Sequence, residues 1–225
     1  MNDDQPLEIE DFLPMPQDPR ILVMVKPSDR PCFLALWALA VRLTKLLEDA
    51  REPLIGQIKL AWWRDMLALL EQDAQAIPKG EPLLAELVLH WRGQAGLGKL
   101  VDAAEALLLA EDDLARKDAG ADFGAQLFHL SSRCLLPKGA AASEGSIGQH
   151  WGLLWAACLC RGSDAASALM VAAAAAPTSR TKTFSRPLRS LLMLDRLAAR
   201  IAAEKGGRDH RREGLILLRI GLFGR

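Results

Sequence analysis

The sequence predicts an all-α protein, a single-domain helical bundle, and three observations carry that prediction. Leucine and alanine dominate while tyrosine is absent and valine and isoleucine are sparse, a composition that favours helices and starves strands. Apolar residues recur at helical spacing along most of the chain, which gathers them on one face of each segment. No repeat of fixed period and no linker-like change of composition divides the 225 residues, so one core is expected.

An acidic leader over 1–17, spaced by Pro6, Pro14 and Pro16, precedes a helical domain over 18–225. Asp18 caps a short helix to about residue 24, and Pro27 ends it. Ser28 or Asp29 caps a long helix to about residue 50, with Pro31 in the first turn, where a missing N–H costs nothing. On it Phe33, Leu36, Trp37, Ala40, Leu43, Leu46 and Leu47 keep the helical period. Residues 32–41 are apolar on every side, which marks a helix enclosed by others. Glu52-Pro53 opens a helix to about residue 72, on which Leu54, Ile58, Ala61, Trp62, Asp65 and Leu69 share a face. Pro78, Gly80 and Pro82 break the chain before a short helix ending near residue 91. Helices over 97–114 and 123–136 follow, then a small-residue loop to 146. Segments 147–160 and 164–176 read as a helix pair split by Arg161-Gly162-Ser163. The stretch TSRTKTFS (178–185) is a connector, and helices over 186–204 and 211–222 close the fold.

Charge and cysteine usage narrow the function classes. Lys and Arg number 28 and so do Asp and Glu, which removes the basic surplus that a general nucleic-acid binder needs. No apolar run approaches the ~20 residues of a membrane span, and the N-terminal residues lack the signal-peptide pattern, so a cytoplasmic chain is expected. The charge is uneven along the chain: residues 180–225 carry twelve bases and four acids. With Leu215, Ile216, Leu218, Ile220, Leu222 and Phe223 among its arginines, that end suits peripheral attachment to an anionic inner membrane or an acidic protein partner; the plainer alternative is a helix whose apolar side packs and whose arginines are solvated. Cys32, Cys134, Cys158 and Cys160 form no CxxC pair and no cluster with histidine, so buried reduced thiols are expected rather than a zinc site. The scattered His90, His129, His150 and His210 define no nucleophile motif, and no phosphate-binding glycine loop is present.

One stretch is more specific than composition. Residues 33–67, FLALWALAVRLTKLLEDAREPLIGQIKLAWWRDML, place Glu52, Pro53, Leu54, Gly56, Ile58, Leu60, Trp62, Trp63 and Arg64 in a helix, Glu-Pro, helix pattern. This resembles the opening of squalene/phytoene synthase family proteins. LGKLVDAAEALL (97–108) is similar to that family's mid-chain helix with a buried aspartate, and RPLRSLLMLDRLAAR (186–200) to the end of its short bacterial members. The resemblance implies the isoprenoid-synthase helical bundle around a deep apolar cavity. Trp37, Trp62, Arg64, Asp65 and Asp102 are then expected to line that cavity.

The family's enzymes join two prenyl diphosphates head to head, using Mg²⁺ held by two D-x-x-x-D motifs. Carboxylates suit that task because Mg²⁺ takes hard oxygen ligands and neutralises a departing diphosphate. In this sequence the first motif falls on Arg42 and Leu46, which cannot coordinate Mg²⁺, and the second region, 147–164, holds only Asp164 as an acid. Glu48, Asp49 and Glu52 lie one to two turns beyond the first position, so a displaced catalytic site would use them. The one D-x-x-x-D present, Asp118 and Asp122, is the alternative metal site, though Gly120 weakens the helix that must align the two acids; the plainer expectation is solvated acids at a helix junction.

Three functions are therefore expected to compete. The first is a catalytically degenerate family member that needs no cofactor. It would bind an apolar isoprenoid or lipid-like ligand, or act like the family branch that assembles a respiratory complex. The second is an active Mg²⁺-dependent prenyl transferase acting on farnesyl or geranylgeranyl diphosphate. The third is a helical adaptor whose core has closed.

Overall fold

Aspartates and prolines set most of the helix starts in the computed structural model, which describes residues 12–72, 77–137, 147–160, 162–178 and 184–225. The Asp18 carboxylate accepts from the Arg20 N–H at 2.9 Å and opens α1 (Pro19–Leu22). α2 (Arg30–Asp49), α3 (Pro53–Gln72) and α4 (Pro82–Trp91) each carry proline in the first turn. α5 (Gly98–Leu108) is followed by α6 (Asp113–Leu135), capped by Asp112 through the Ala115 N–H at 2.7 Å. α7 (Gln149–Leu159), α8 (Ser163–Ala175), a 3₁₀ turn (Arg186–Leu188), α9 (Arg189–Ala203) and α10 (His210–Phe223) complete the order. Asp209 caps α10 by accepting from the N–H groups of Arg211 and Arg212. No strand occurs among the described residues, so the all-α expectation holds.

The boundary expected between 114 and 123 is absent. Asp112 starts the helix ten residues early, and Gly120 lies inside it. What keeps a glycine there is proximity. α6 crosses α7 so closely that a Cβ on Gly152 would stand 2.1 Å from the Gly120 carbonyl oxygen and 2.7 Å from the Gly124 Cα. The glycines at 120 and 124 on α6 meet Gly152 on α7 and Gly148 just before it, and two backbones touch where side chains would otherwise hold them apart.

α6 is the spine of the molecule. α2 and α5 pack on one part of it, α7 and α8 on another, while α3 spans α4 and α5, and α9 covers α7 and α8. Buried aromatic rings fill the centre. Trp37 meets Phe33, Phe128 and Trp151, the last edge-on at 5.1 Å, and Trp155 stacks on Phe123 at 3.9 Å. Each indole N–H finds an acceptor: Trp37 donates to Ser131 Oγ at 3.0 Å, Trp155 to Thr44 Oγ1 at 2.8 Å, and Trp151 to the Pro14 carbonyl at 2.8 Å.

That last bond corrects the domain boundary expected at 17. Leu13 is buried, Met15 packs against the core, and the Phe12 ring sits over Gly206, so residues 12–15 belong to the bundle. The same segment gives Trp151 an acceptor for its buried N–H. Residues 1–11 of the expected leader lie outside the described residues, as do 179–183 of the connector with Arg180 and Lys182, and the loop 138–146. Among the described residues, no helix is long and apolar enough to cross a membrane.

Candidate functional site

The helices that the resemblance assigns to the two acidic motifs, α2 and α7, do face each other. Their meeting surface is made by Trp37, Ala40, Val41 and Thr44 on one side and Trp151 and Trp155 on the other, with Leu13 and Met15 closing one end. Between these side chains about 30 Å³ remains, room for only about two water molecules. Thr44 is satisfied on both counts, accepting from Trp155 and donating to the Ala40 carbonyl at 2.8 Å. At this surface α2 and α7 thus meet through rings and the single satisfied hydroxyl of Thr44 instead of opposed carboxylates.

The acids expected here lie elsewhere. Arg42, at the first motif position, is exposed on the side of α2 turned toward α4, where it pairs with Glu81 at 3.3 Å. Glu48, Asp49 and Glu52 are all exposed; Glu48 borders the small space beside Thr44 and Lys45, whereas Asp49 and Glu52 stand at the α2–α3 turn. Asp118 and Asp122 are exposed on α6, Asp122 accepting from Gln126 at 3.4 Å, and Asp164 is exposed in the first turn of α8. The pair is therefore solvated, as expected, yet within a helix and not at a junction. Among the described residues no three His, Cys, Asp or Glu side chains gather as a metal ion would require.

Of the residues expected to line a cavity, Trp37 alone borders the α2–α7 space. Trp62 and Asp65 point outward because the inner arc of α3 is taken by Leu60, Trp63, Leu67 and Leu70, all buried. Arg64 donates to Asp102 at 2.8 Å and to Glu105 at 2.5 Å, a surface bridge from α3 to α5. Asp102, expected to be buried, is exposed: the inner arc of α5 carries Leu100, Val101, Ala103, Ala104 and Leu107, which leaves position 102 on the outside. The outer face of α3 is apolar and uncovered, with Leu54 66%, Ile58 63% and Trp62 41% exposed. Their shared face was legible from spacing, but not that it looks outward.

Sequence reasoning missed a buried polar group at the start of α7. Asp195 of α9 accepts from the N–H groups of Gly148 at 3.0 Å and Trp151 at 3.3 Å, and so caps α7 from another helix. Burial pushes its carboxyl above the usual range, against the pull of His150, the two N–H donors and Arg196. Beside it, buried His150 holds the Ala173 carbonyl through Nδ1 at 2.7 Å. An acid among leucines in LLMLDRLAAR was the available signal. The cysteines are free, as expected, but partly exposed and not wholly buried. Cys32 of α2 and Cys134 of α6 lie together, and the neighbouring thiol and then burial push Cys134 upward. Burial pushes Cys158 up to about 12, so it is a poor nucleophile at neutral pH.

Comparisons with family models, with curated proteins and with solved structures find no match to this chain.

Proposed function

We propose that the chain is a catalytically degenerate protein of the squalene/phytoene synthase type, built on an isoprenoid-synthase-like bundle, and that it binds a partner protein in the manner of a respiratory-complex assembly factor. The observation that carries this reading is the closed α2–α7 surface. Ligand pockets run to roughly 300–1,000 Å³, against the 30 Å³ found there. An isoprenoid or lipid-like ligand would enter that surface only if Leu13 and Met15 withdrew. Arg42 and Leu46, where a metal-binding pair would stand, support the loss of chemistry. The uncovered stripe of Leu54, Ile58 and Trp62 supports binding at the surface, since a contiguous exposed apolar patch costs solubility unless something covers it. No cofactor is needed in this reading.

The alternative, an active prenyl transferase, rests on Glu48, which borders the α2–α7 space next to Thr44. Incubation with labelled farnesyl diphosphate and Mg²⁺ separates the two. The proposal expects no diphosphate release and no coupled product. Squalene- or phytoene-type product that disappears on Glu48→Gln would establish the enzyme instead.

A further inference from the structure

α10 presents two features that lie against each other on its outward side. Leu215, Leu218 and Leu222 are exposed and fall within an arc of about 60° at helical spacing, with Arg211 in line with them and exposed Phe223 at one flank. Along that flank runs a groove between α9 and α10, with room for about 500 Å³, lined by Arg196, Ala199, Arg200, Ile216, Arg219, Ile220 and Arg225. Four of these seven side chains are guanidiniums and none is a carboxylate.

The charge there is poorly compensated within the molecule. Arg200 is engaged by Glu204 through Nη2, and Glu204 also meets Arg212 at 3.8 Å, but the Arg200 Nε–H is buried with no acceptor among the described residues. Arg219 and Arg225 make no ion pair among the described residues, and Arg196 has only the field of the buried Asp195 behind it. Arginines held side by side repel one another and lose hydration, so such a groove favours an anion that supplies several oxygen acceptors. A phosphodiester does so, and the guanidinium fork matches its geometry.

We infer that the α9–α10 face docks on an anionic lipid surface, with a lipid phosphate held by Arg196, Arg200, Arg219 and Arg225 while Leu215, Leu218, Leu222 and Phe223 enter the acyl boundary. Each feature supplies what the other lacks. An apolar stripe alone would serve any greasy partner, and an arginine groove alone any anion. A phosphate plane lying directly above hydrocarbon is the arrangement of a bilayer surface. The stripe is too short to span, so attachment is peripheral and reversible. This inference is independent of whether the α2–α7 surface ever performs chemistry.

Co-sedimentation of the full chain with vesicles tests it, comparing phosphatidylcholine alone with phosphatidylcholine containing phosphatidylglycerol. Binding is expected on the anionic vesicles only, weakening as salt rises because screening shortens from about 8 Å at physiological ionic strength to about 3 Å at 1 M. Arg219→Gln with Arg225→Gln should weaken it about 25-fold, at about fivefold per lost guanidinium near the leaflet. Leu218→Gln with Leu222→Gln should weaken it by a similar order while keeping the charge. All four positions are exposed, so circular dichroism should be unchanged. Equal binding to neutral vesicles overturns the inference, as does anionic binding indifferent to either double variant. Absence of vesicle binding at low salt also overturns it and leaves the face to an acidic protein. Inorganic phosphate at millimolar concentration should compete little if the lipid surface is the ligand; complete competition would mark a soluble anion as the occupant and overturn the membrane.

Discussion

Asp195 is one carboxylate with an outsized position, since it supplies the acceptor that the first N–H groups of α7 lack. Burial raises its pKa, so the folded protein holds its proton to higher pH than the unfolded chain does. The sign follows: its contribution is complete below about pH 3.9, the unfolded value, and is lost as pH rises through the folded value. Above the unfolded value the buried carboxyl therefore costs stability. Asp195→Asn keeps an oxygen for both N–H groups and removes the buried charge. The expected outcome is a melting temperature at pH 7 equal to or above that of the parent, with the difference shrinking toward pH 4. A loss of about 1–3 kcal/mol at pH 7, the usual cost of an unsatisfied buried group, would show instead that the charge itself is needed.

At the scale of elements, the starts of α2 and α3 were legible because proline is best tolerated in a first turn and aspartate or glutamate precedes it; Pro82, read as part of a break, in fact opens α4. The α5–α6 boundary was not. Gly120 looked like a breaker, and a one-dimensional reading cannot distinguish a glycine that ends a helix from one that lets another helix approach. The same limit hid the site: the apolar faces of α2 and α7 were readable, but nothing in their spacing says that Trp37, Trp151 and Trp155 leave no room between them. The α6–α7 crossing has a direct test. Gly152→Ala puts a methyl within 2.1 Å of a backbone oxygen that cannot rotate away, so the helices must separate. A destabilisation of about 1–3 kcal/mol in chemical denaturation is expected, as for other overpacked sites. Gly214→Ala is the control. Within α10 its added methyl meets nothing inside 4 Å, so helix propensity alone should stabilise by about 0.5–1 kcal/mol. Equal effects at the two positions would mean that the crossing is looser than its geometry.

Across the whole molecule, the basic end is tied to the early residues by an acid that belongs to the basic end itself. Glu213 of α10 is 1% exposed and accepts from Arg208 at 2.7 and 2.9 Å; it also meets Arg20 of α1 at 3.4 Å and His210 at 3.5 Å. Arg20 in turn grips Asp18, so one network joins α1, the turn before α10 and α10 itself. Burial alone would raise the Glu213 carboxyl, but Arg208, His210 and Arg20 outweigh it and hold it below the usual carboxylate range. The sign is opposite to that of Asp195. This contribution is present above the unfolded value of about 4.3 and is lost as pH falls through the folded value. Acid should therefore release α10 while Leu60, Leu127 and Trp155, which carry no charge, stay packed. Hydrogen exchange is expected to quicken in α10, as pH falls through the folded value, before it does in α6 or α7. Glu213→Gln should cost about 1–3 kcal/mol at pH 7, the range for hydrogen bonds to a charged group lost from a buried site. In thermal unfolding the variant and parent should converge once pH has fallen through the folded value, because the parent's glutamate is then neutral too. A gap that did not change with falling pH would assign Glu213 a packing role, beside Leu217, Ile220 and the hydrogen bonds that Arg189 and Phe184 give to the end of α10.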